Sequence, residues 1–240
     1  MSKFKPFQFV SFLVFIFFYL INPKFAISEI ETQDLFANLE NTLNEKKLNQ
    51  LSNFFNEDNL LLIQKQFLDI NEDFQNLEWE ITNKNTEEKD NFITVKLTGT
   101  KLVNGEKFYL ESNFDYYFQL INGKISDGII KNDLTTIRND KDYIDINIDI
   151  PNKVLSGSNY YLDIIINPPL GSEIYAGGLM AHNENNLFDQ NIVLEPLLAG
   201  GIFKTTRASS QPGYQVWTGV IAHKEGIISF TKTVEITDEL

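Results

Sequence analysis

EKFYLESNFDYYFQLINGKISDGII, residues 106–130, decides the fold. Phe108, Leu110, Ser112, Phe114, Tyr116, Phe118 and Leu120 fall on alternate positions, and Lys107, Tyr109, Glu111, Asn113, Asp115, Tyr117 and Gln119 fall between them. A period of two places the first set on one face of a strand and the second on the other, so one face is apolar and the other mostly polar. Asn122-Gly123 then breaks the run. Asn-Gly is a strong hairpin signal because both central residues of that turn need positive φ. Asn104-Gly105 marks an equivalent turn upstream. Working outward, EWEITN (78–83), NFITVKLTGTKLV (91–103) and GKISDGIIKNDLTTI (123–137) join this strand in a four-stranded antiparallel meander.

Before the meander the period is helical. Thr32 is expected to cap a helix carrying Leu35, Phe36, Leu39 and Leu43, with Leu48, Leu51, Phe54 and Phe55 continuing it after a weak break. Asp58 is expected to cap another, carrying Leu60, Leu61, Ile63, Phe67 and Leu68. Helices that cover the apolar face of a sheet give an α+β domain, expected over residues 29–139. The order of elements and the ending YYFQLINGKISDGII (116–130) resemble the nuclear transport factor 2-like, or cystatin-like, superfamily. That resemblance implies a cone between helices and curved sheet. The superfamily hosts enzymes, carriers and association domains alike, so the fold does not fix a function.

RNDKD (138–142) is a polar break, and the domain boundary is expected there. Beyond it the pattern is all-β. YIDINIDIP (143–151), YYLDIIINPP (160–169), EIYAGGLMAH (173–182), NIVLEPLL (191–198), GIFKTTR (201–207), YQVWTGVIAH (214–223) and GIISFTKTVEI (226–236) give about seven short strands. This spacing predicts a β-sandwich over residues 140–240. QPGYQVW (211–217) resembles the tyrosine corner of immunoglobulin-like and fibronectin type III domains. The resemblance puts Tyr214 at the corner and Val216 where antibodies carry a disulfide cysteine. Pro196 predicts that the fourth strand lies at an edge.

The formal net charge is −13, and residues 1–28 contain three lysines and no acid. Such acidity argues against nucleic-acid binding, which needs basic surface, and against docking on anionic lipid. The absence of cysteine excludes disulfides, thiolate metal sites, a cysteine nucleophile and a lipidated N-terminal cysteine. FQFVSFLVFIFFYLI (7–21), preceded by Lys3 and Lys5 and followed by Ala26-Ile27-Ser28, has the plan of a secretory signal. As a helix the run spans about 22 Å, short of a ~30 Å hydrocarbon core. A signal cleaved near Glu29 and export to the periplasm or cell surface are expected. The alternative is an uncleaved membrane anchor.

Little else resembles chemistry. Trp79, Phe108, Ser112, Phe114, Tyr116, Phe118 and Asp127 are the candidates to line the cone. They suit a small apolar ligand, with Asp127 sharing a period-two face with Ile125 and Ile129. Gly128 beside it marks a possible bulge that redirects it. AGGIFKTTR (199–207) fails as a phosphate loop, because Phe203 precedes Lys204 and the context is β. Asp145, Asn147 and Asp149, with Asp140 and Asp142 upstream, line a strand face without the EF-hand glycine, and read as solvated. No Ser/His/Asp triad or nucleophile elbow is identifiable. GLMAHNE (178–184) and GVIAHKE (219–225) hold both histidines, each two places before a glutamate. They are expected to be a strand-ending pattern used twice. The two strands should be antiparallel neighbours, with His182 and His223 at opposite ends, four or five residues of rise apart. No metal and no cofactor are expected. The expected function is non-enzymatic binding or assembly with an unknown protein partner. An enzyme or carrier for a small apolar ligand is the alternative.

Overall fold

The computed structural model describes residues 29–83, 92–139, 144–167, 173–182, 192–197 and 200–239. The proposed signal, residues 140–142, the loop after His182 and Glu184 lie outside the described residues. The fold is mostly β, with a small helical part near the N-terminus. The chain divides into two compact units. One comprises the described residues up to Leu102 together with Leu110–Lys131; the other comprises Val103–Tyr109 and the described residues from Asn132 onward.

In the N-terminal unit, helix α1 spans Glu29–Asn44 and helix α2 spans Glu57–Asp73, with a 3₁₀ helix at Leu48–Asn53 between them. Thr32 therefore lies within α1 rather than capping it. Asn56 is the N-cap of α2, and Glu57 and Asp58 occupy its first turn, where carboxylates complement the helix dipole. Strands β1 (Gln75–Asn83), β2 (Phe92–Val103), β3 (Glu106–Ile121) and β4 (Lys124–Arg138) follow in meander order, with the β2–β3 turn and the end of β4 belonging to the other unit. Both Asn-Gly turns have positive φ at both residues. The helical Phe36, Leu39, Leu43 and Phe67 share one core with Ile93, Val95, Tyr116, Phe118 and Leu120. α1 also covers the edge of β1. Asn44 donates to the Trp79 carbonyl at 2.9 Å and accepts from its N–H at 2.8 Å, and Glu40 accepts from the Ile81 N–H at 2.6 Å. These side chains satisfy backbone groups that an edge strand otherwise leaves open.

The C-terminal unit holds β5 (Asp145–Asp149), β6 (Lys153–Leu155), β7 (Asn159–Asn167), β8 (Ala176–His182), β9 (Glu195–Pro196), β10 (Gly201–Arg207), β11 (Gly213–His223) and β12 (Gly226–Thr237). Strands β10, β7 and β5 form a three-stranded antiparallel sheet in that order. A larger sheet runs from the end of β4 through β12, β11 and β8 to β9. β12 pairs antiparallel with β4 over Ile228–Lys232 and parallel with β6 over Glu235–Thr237. Leu162, Ile164, Ile166, Trp217, Ile221, Phe230 and Val234 form the core of this unit. The expected fourth strand contracts to Glu195–Pro196 against β8, at the end of its sheet. Proline cannot donate to a ladder, which limits that strand. β6, with three residues, was not legible in the sequence.

The tyrosine-corner expectation needs correction. Trp217 lies opposite Lys232 and next to Val216 in the β11–β12 ladder. Trp217 joins the shared core, so Tyr214 and Val216, one residue out of phase, face the other side of the sheet. The buried, hydrogen-bonded tyrosine is Tyr160 on β7. Trp217 Nε1 donates to its hydroxyl at 2.9 Å, and that hydroxyl donates to Gln215 Oε1 at 2.5 Å. This bridge joins the two sheets. Lys204 adds to it, with Nζ 5.0 Å from the Trp217 ring.

Candidate functional site

The candidate residues do not all meet, and Phe108 falls within Val103–Tyr109 of the C-terminal unit. Trp79, Phe114, Tyr116 and Phe118 belong to the core that the helices cover. Their rings are in contact with neighbours: Tyr116 and Phe118 stack at 5.9 Å, Phe118 meets Phe36 edge-on at 5.4 Å, and Trp79 lies 6.5 Å from Phe67. Phe108 and Ser112 are buried on the same face of β3 but outside that cluster. Asp127 sits at a bulge with φ of 47°. Burial runs Ile125, Ser126, then Gly128 and Ile130, so the bulge shifts the buried face by one residue and leaves Asp127 half-buried. A Cβ on Gly128 would lie 1.8 Å from the Tyr116 hydroxyl, so only glycine admits that phenol. Burial, and then the Asp127 charge, push the Tyr116 phenol well above its ordinary range. A neutral phenol beside a carboxylate can donate a proton in a hydrogen bond; it offers no base.

β8 and β11 are antiparallel neighbours, and Val216 lies opposite His182. Val216 is seven positions before His223, so the two histidines are about 24 Å apart along the sheet at ~3.4 Å per residue. That exceeds the expected four or five residues of rise, because β8 pairs with β11 along its whole length, Ala176–His182 against Val216–Ala222, and His223 lies one residue beyond. The two imidazoles therefore cannot share one ion. Their surroundings also differ. His223 stacks on Tyr175 at 4.4 Å, its Nε2 lies 3.3 Å from Glu173, and its Nδ1 accepts the Glu225 N–H at 3.3 Å. His182 is 3% exposed, and neither ring nitrogen has a hydrogen-bond partner among the described residues. Among those residues no group of three His, Cys, Asp or Glu side chains is placed to hold a metal.

The outer face of the three-stranded sheet carries the largest exposed rings of this unit among the described residues. Tyr161 is 68% exposed and Phe203 is 53% exposed. The register pairs Tyr161 with Thr205 and Phe203 with Asp163, so the two rings are diagonal neighbours across β7 and β10. Asp163 also lies opposite Asp149 of β5, whose Asp145 and Asn147 are exposed. Asp145, Asn147 and Asp149 are exposed as a solvated strand face requires, while Asp140 and Asp142 lie outside the described residues. Alternation places Tyr161 outside, but only the register reveals its neighbour.

Residues 141–237 match a family described as Domain of unknown function (DUF8623), so a domain of that family covers strands β5 to β12. No curated protein matches the chain.

Proposed function

We propose that this is an exported, non-enzymatic binding or assembly protein whose C-terminal unit docks a partner on the outer face of the β10–β7–β5 sheet. The observation that carries the reading is the exposed pair Tyr161 and Phe203, held side by side on one open sheet face. Adjacent exposed rings with polar flanks are characteristic of interaction surfaces. The strand order favours an immunoglobulin-like sandwich for this unit: its first, second and fifth main strands, β5, β7 and β10, share one sheet, and the third, sixth and seventh, β8, β11 and β12, share the other. Helices over a four-stranded meander favour a nuclear transport factor 2-like reading of the N-terminal unit. Export rests on the residue 7–21 run and its flanks.

The test is a photo-crosslinking residue at position 161 or 203, compared with exposed position 96 on β2, in exported protein. The expected result is a discrete adduct from 161 and 203 alone, weakened at 161 by Phe203→Ser and at 203 by Tyr161→Ser, variants whose melting temperature is unchanged. Equal labelling at all three positions sinks the docking face. A second reading, a carrier of a small apolar ligand, is favoured by one observation: Trp79 Nε1 is buried in the N-terminal core with no acceptor among the described residues. Native mass spectrometry of protein purified from its own cells decides it; only a bound small molecule supports the carrier.

A further inference from the structure

In the larger sheet of the C-terminal unit, the middle of β11 and β12 is buried on the second face as well, as is His182 at the end of β8. Strand register lays out that face in rows across β8, β11, β12 and β4. One row runs His182, Val216, Thr233 and ends at Asp133, whose carboxylate accepts the Thr233 N–H at 3.2 Å and its hydroxyl at 3.1 Å. The next runs Met180, Thr218, Thr231 and Thr135. The hydroxyls of Thr218 and Thr231, like both nitrogens of His182, are buried without a hydrogen-bond partner among the described residues. His182 ends β8, a strand held on one edge by β11 and on the other, among the described residues, by Glu195 and Pro196. Close by, a Cβ on Gly178 would lie 2.3 Å from the Val193 carbonyl, so the segment before β9 sits directly on β8.

We propose that His182 is a proton-responsive lock on β8: neutral, it seals the end of the sheet, and protonated it leaves its site and frees β8 from β11. A neutral imidazole already gives up hydrogen bonds here. An imidazolium adds a charge and a second unpaired donor, which costs far more in a buried site. The other titratable side chains on this face, among the described residues, are Asp133 at the far end of the row, Tyr214 and Glu235 in the row beyond Val216, and Lys153 of β6 opposite Glu235. The nearer carboxylate, Glu235, is two strands over and two residues along from His182, about 12 Å at ~4.8 Å per strand and ~3.4 Å per residue, too far to pair with it. Burial accordingly holds the His182 imidazole below its ordinary range.

The sign follows. With the folded value below the unfolded value of about 6.5, the unfolded chain binds more protons, and stability falls as pH drops below that point. Asp133 acts in the opposite sense. Burial raises its carboxyl, the Lys232 charge and the Thr233 hydrogen bonds offsetting this in part, so its protonation favours the folded state as pH falls through the folded value.

The experiment is amide exchange and histidine NMR on the whole chain between pH 7.5 and 5.5. Protection factors across β8 and its β11 partners are expected to fall up to about tenfold, with β7 and β10 unchanged. His182→Leu abolishes the fall, and Asp133→Asn retains it. The two histidine C2 protons are told apart by His223→Gln, and that of His182 titrates below the ordinary imidazole range. An unchanged pH slope in His182→Leu overturns the lock. If that variant does not fold, an ordinary His182 titration with flat β8 protection in the wild type overturns it equally.

Discussion

The two units fill their cores differently. The N-terminal core is built from rings, among them Phe36, Phe54, Phe55, Phe67, Tyr116 and Phe118. The C-terminal core is built from β-branched aliphatics such as Ile144, Ile164, Ile166, Ile221 and Ile228, around Trp217 and Phe230. The polar residues that accompany them differ more. Thr135, His182, Thr218, Thr231, Lys232 and Thr233 are buried in the C-terminal unit, as is Asp133. β3 alternates buried and open positions, whereas β11 is buried continuously from Val216 to Ile221. A strand buried on both faces needs residues of strand propensity everywhere, and threonine meets that need while bringing a hydroxyl that must be satisfied. The lesson is that the second unit conceals polar groups where the first conceals none of comparable number.

The largest effect expected is on independence. Phe118→Ala and Phe230→Ala should each cost about 3–5 kcal/mol. If the units unfold separately, each variant shifts one calorimetric transition and leaves the other in place. A single transition moved equally by both would make the comparison one of regions within a cooperative whole. Tyr160→Phe comes next, at about 1–3 kcal/mol, because it strands the buried Trp217 N–H. Adding Trp217→Phe to that variant should show a coupling energy in a double-mutant cycle; strict additivity would mean the bridge contributes nothing. Thr218→Val should stabilise by roughly 1 kcal/mol, since it removes an unpaired buried hydroxyl without changing shape. Urea melts that show a loss instead would reveal a partner for that hydroxyl. Lys204→Gln should be smallest, about 0.5–1 kcal/mol, from its contact with the Trp217 ring.

The same contrast governs what was legible. Residues 106–130 announce their strand, their turn and their buried face, because one face is wet and alternation survives in the letters. Asn104-Gly105 and Asn122-Gly123 announce their turns, because few other residues accept positive φ twice. YQVWTGVIAH announces a strand but not which face meets the core, because both faces are buried and the pattern is filled in. The tyrosine-corner resemblance therefore draws the eye to Tyr214 and Val216, while it is Trp217 that joins the core. The Asp127 bulge was signalled by Gly128, yet its direction depended on the φ of Asp127 itself. The pairing of Tyr161 with Phe203, and of Tyr160 with Trp217, depends on long-range register, which no local pattern encodes.

β12 also has a kinetic consequence. Its partner on one edge, β11, arrives through a tight hairpin in which His223 faces Gly226. On the other edge, the end of β4 must be brought in across a long loop, for Ile137 and Ser229 are separated by 92 residues. Closing a loop of that length costs about 3 kcal/mol more entropy than closing the hairpin. The β11–β12 hairpin should therefore assemble early and wait with a bare edge, and the docking of Leu134–Arg138 onto it becomes a slow step in refolding.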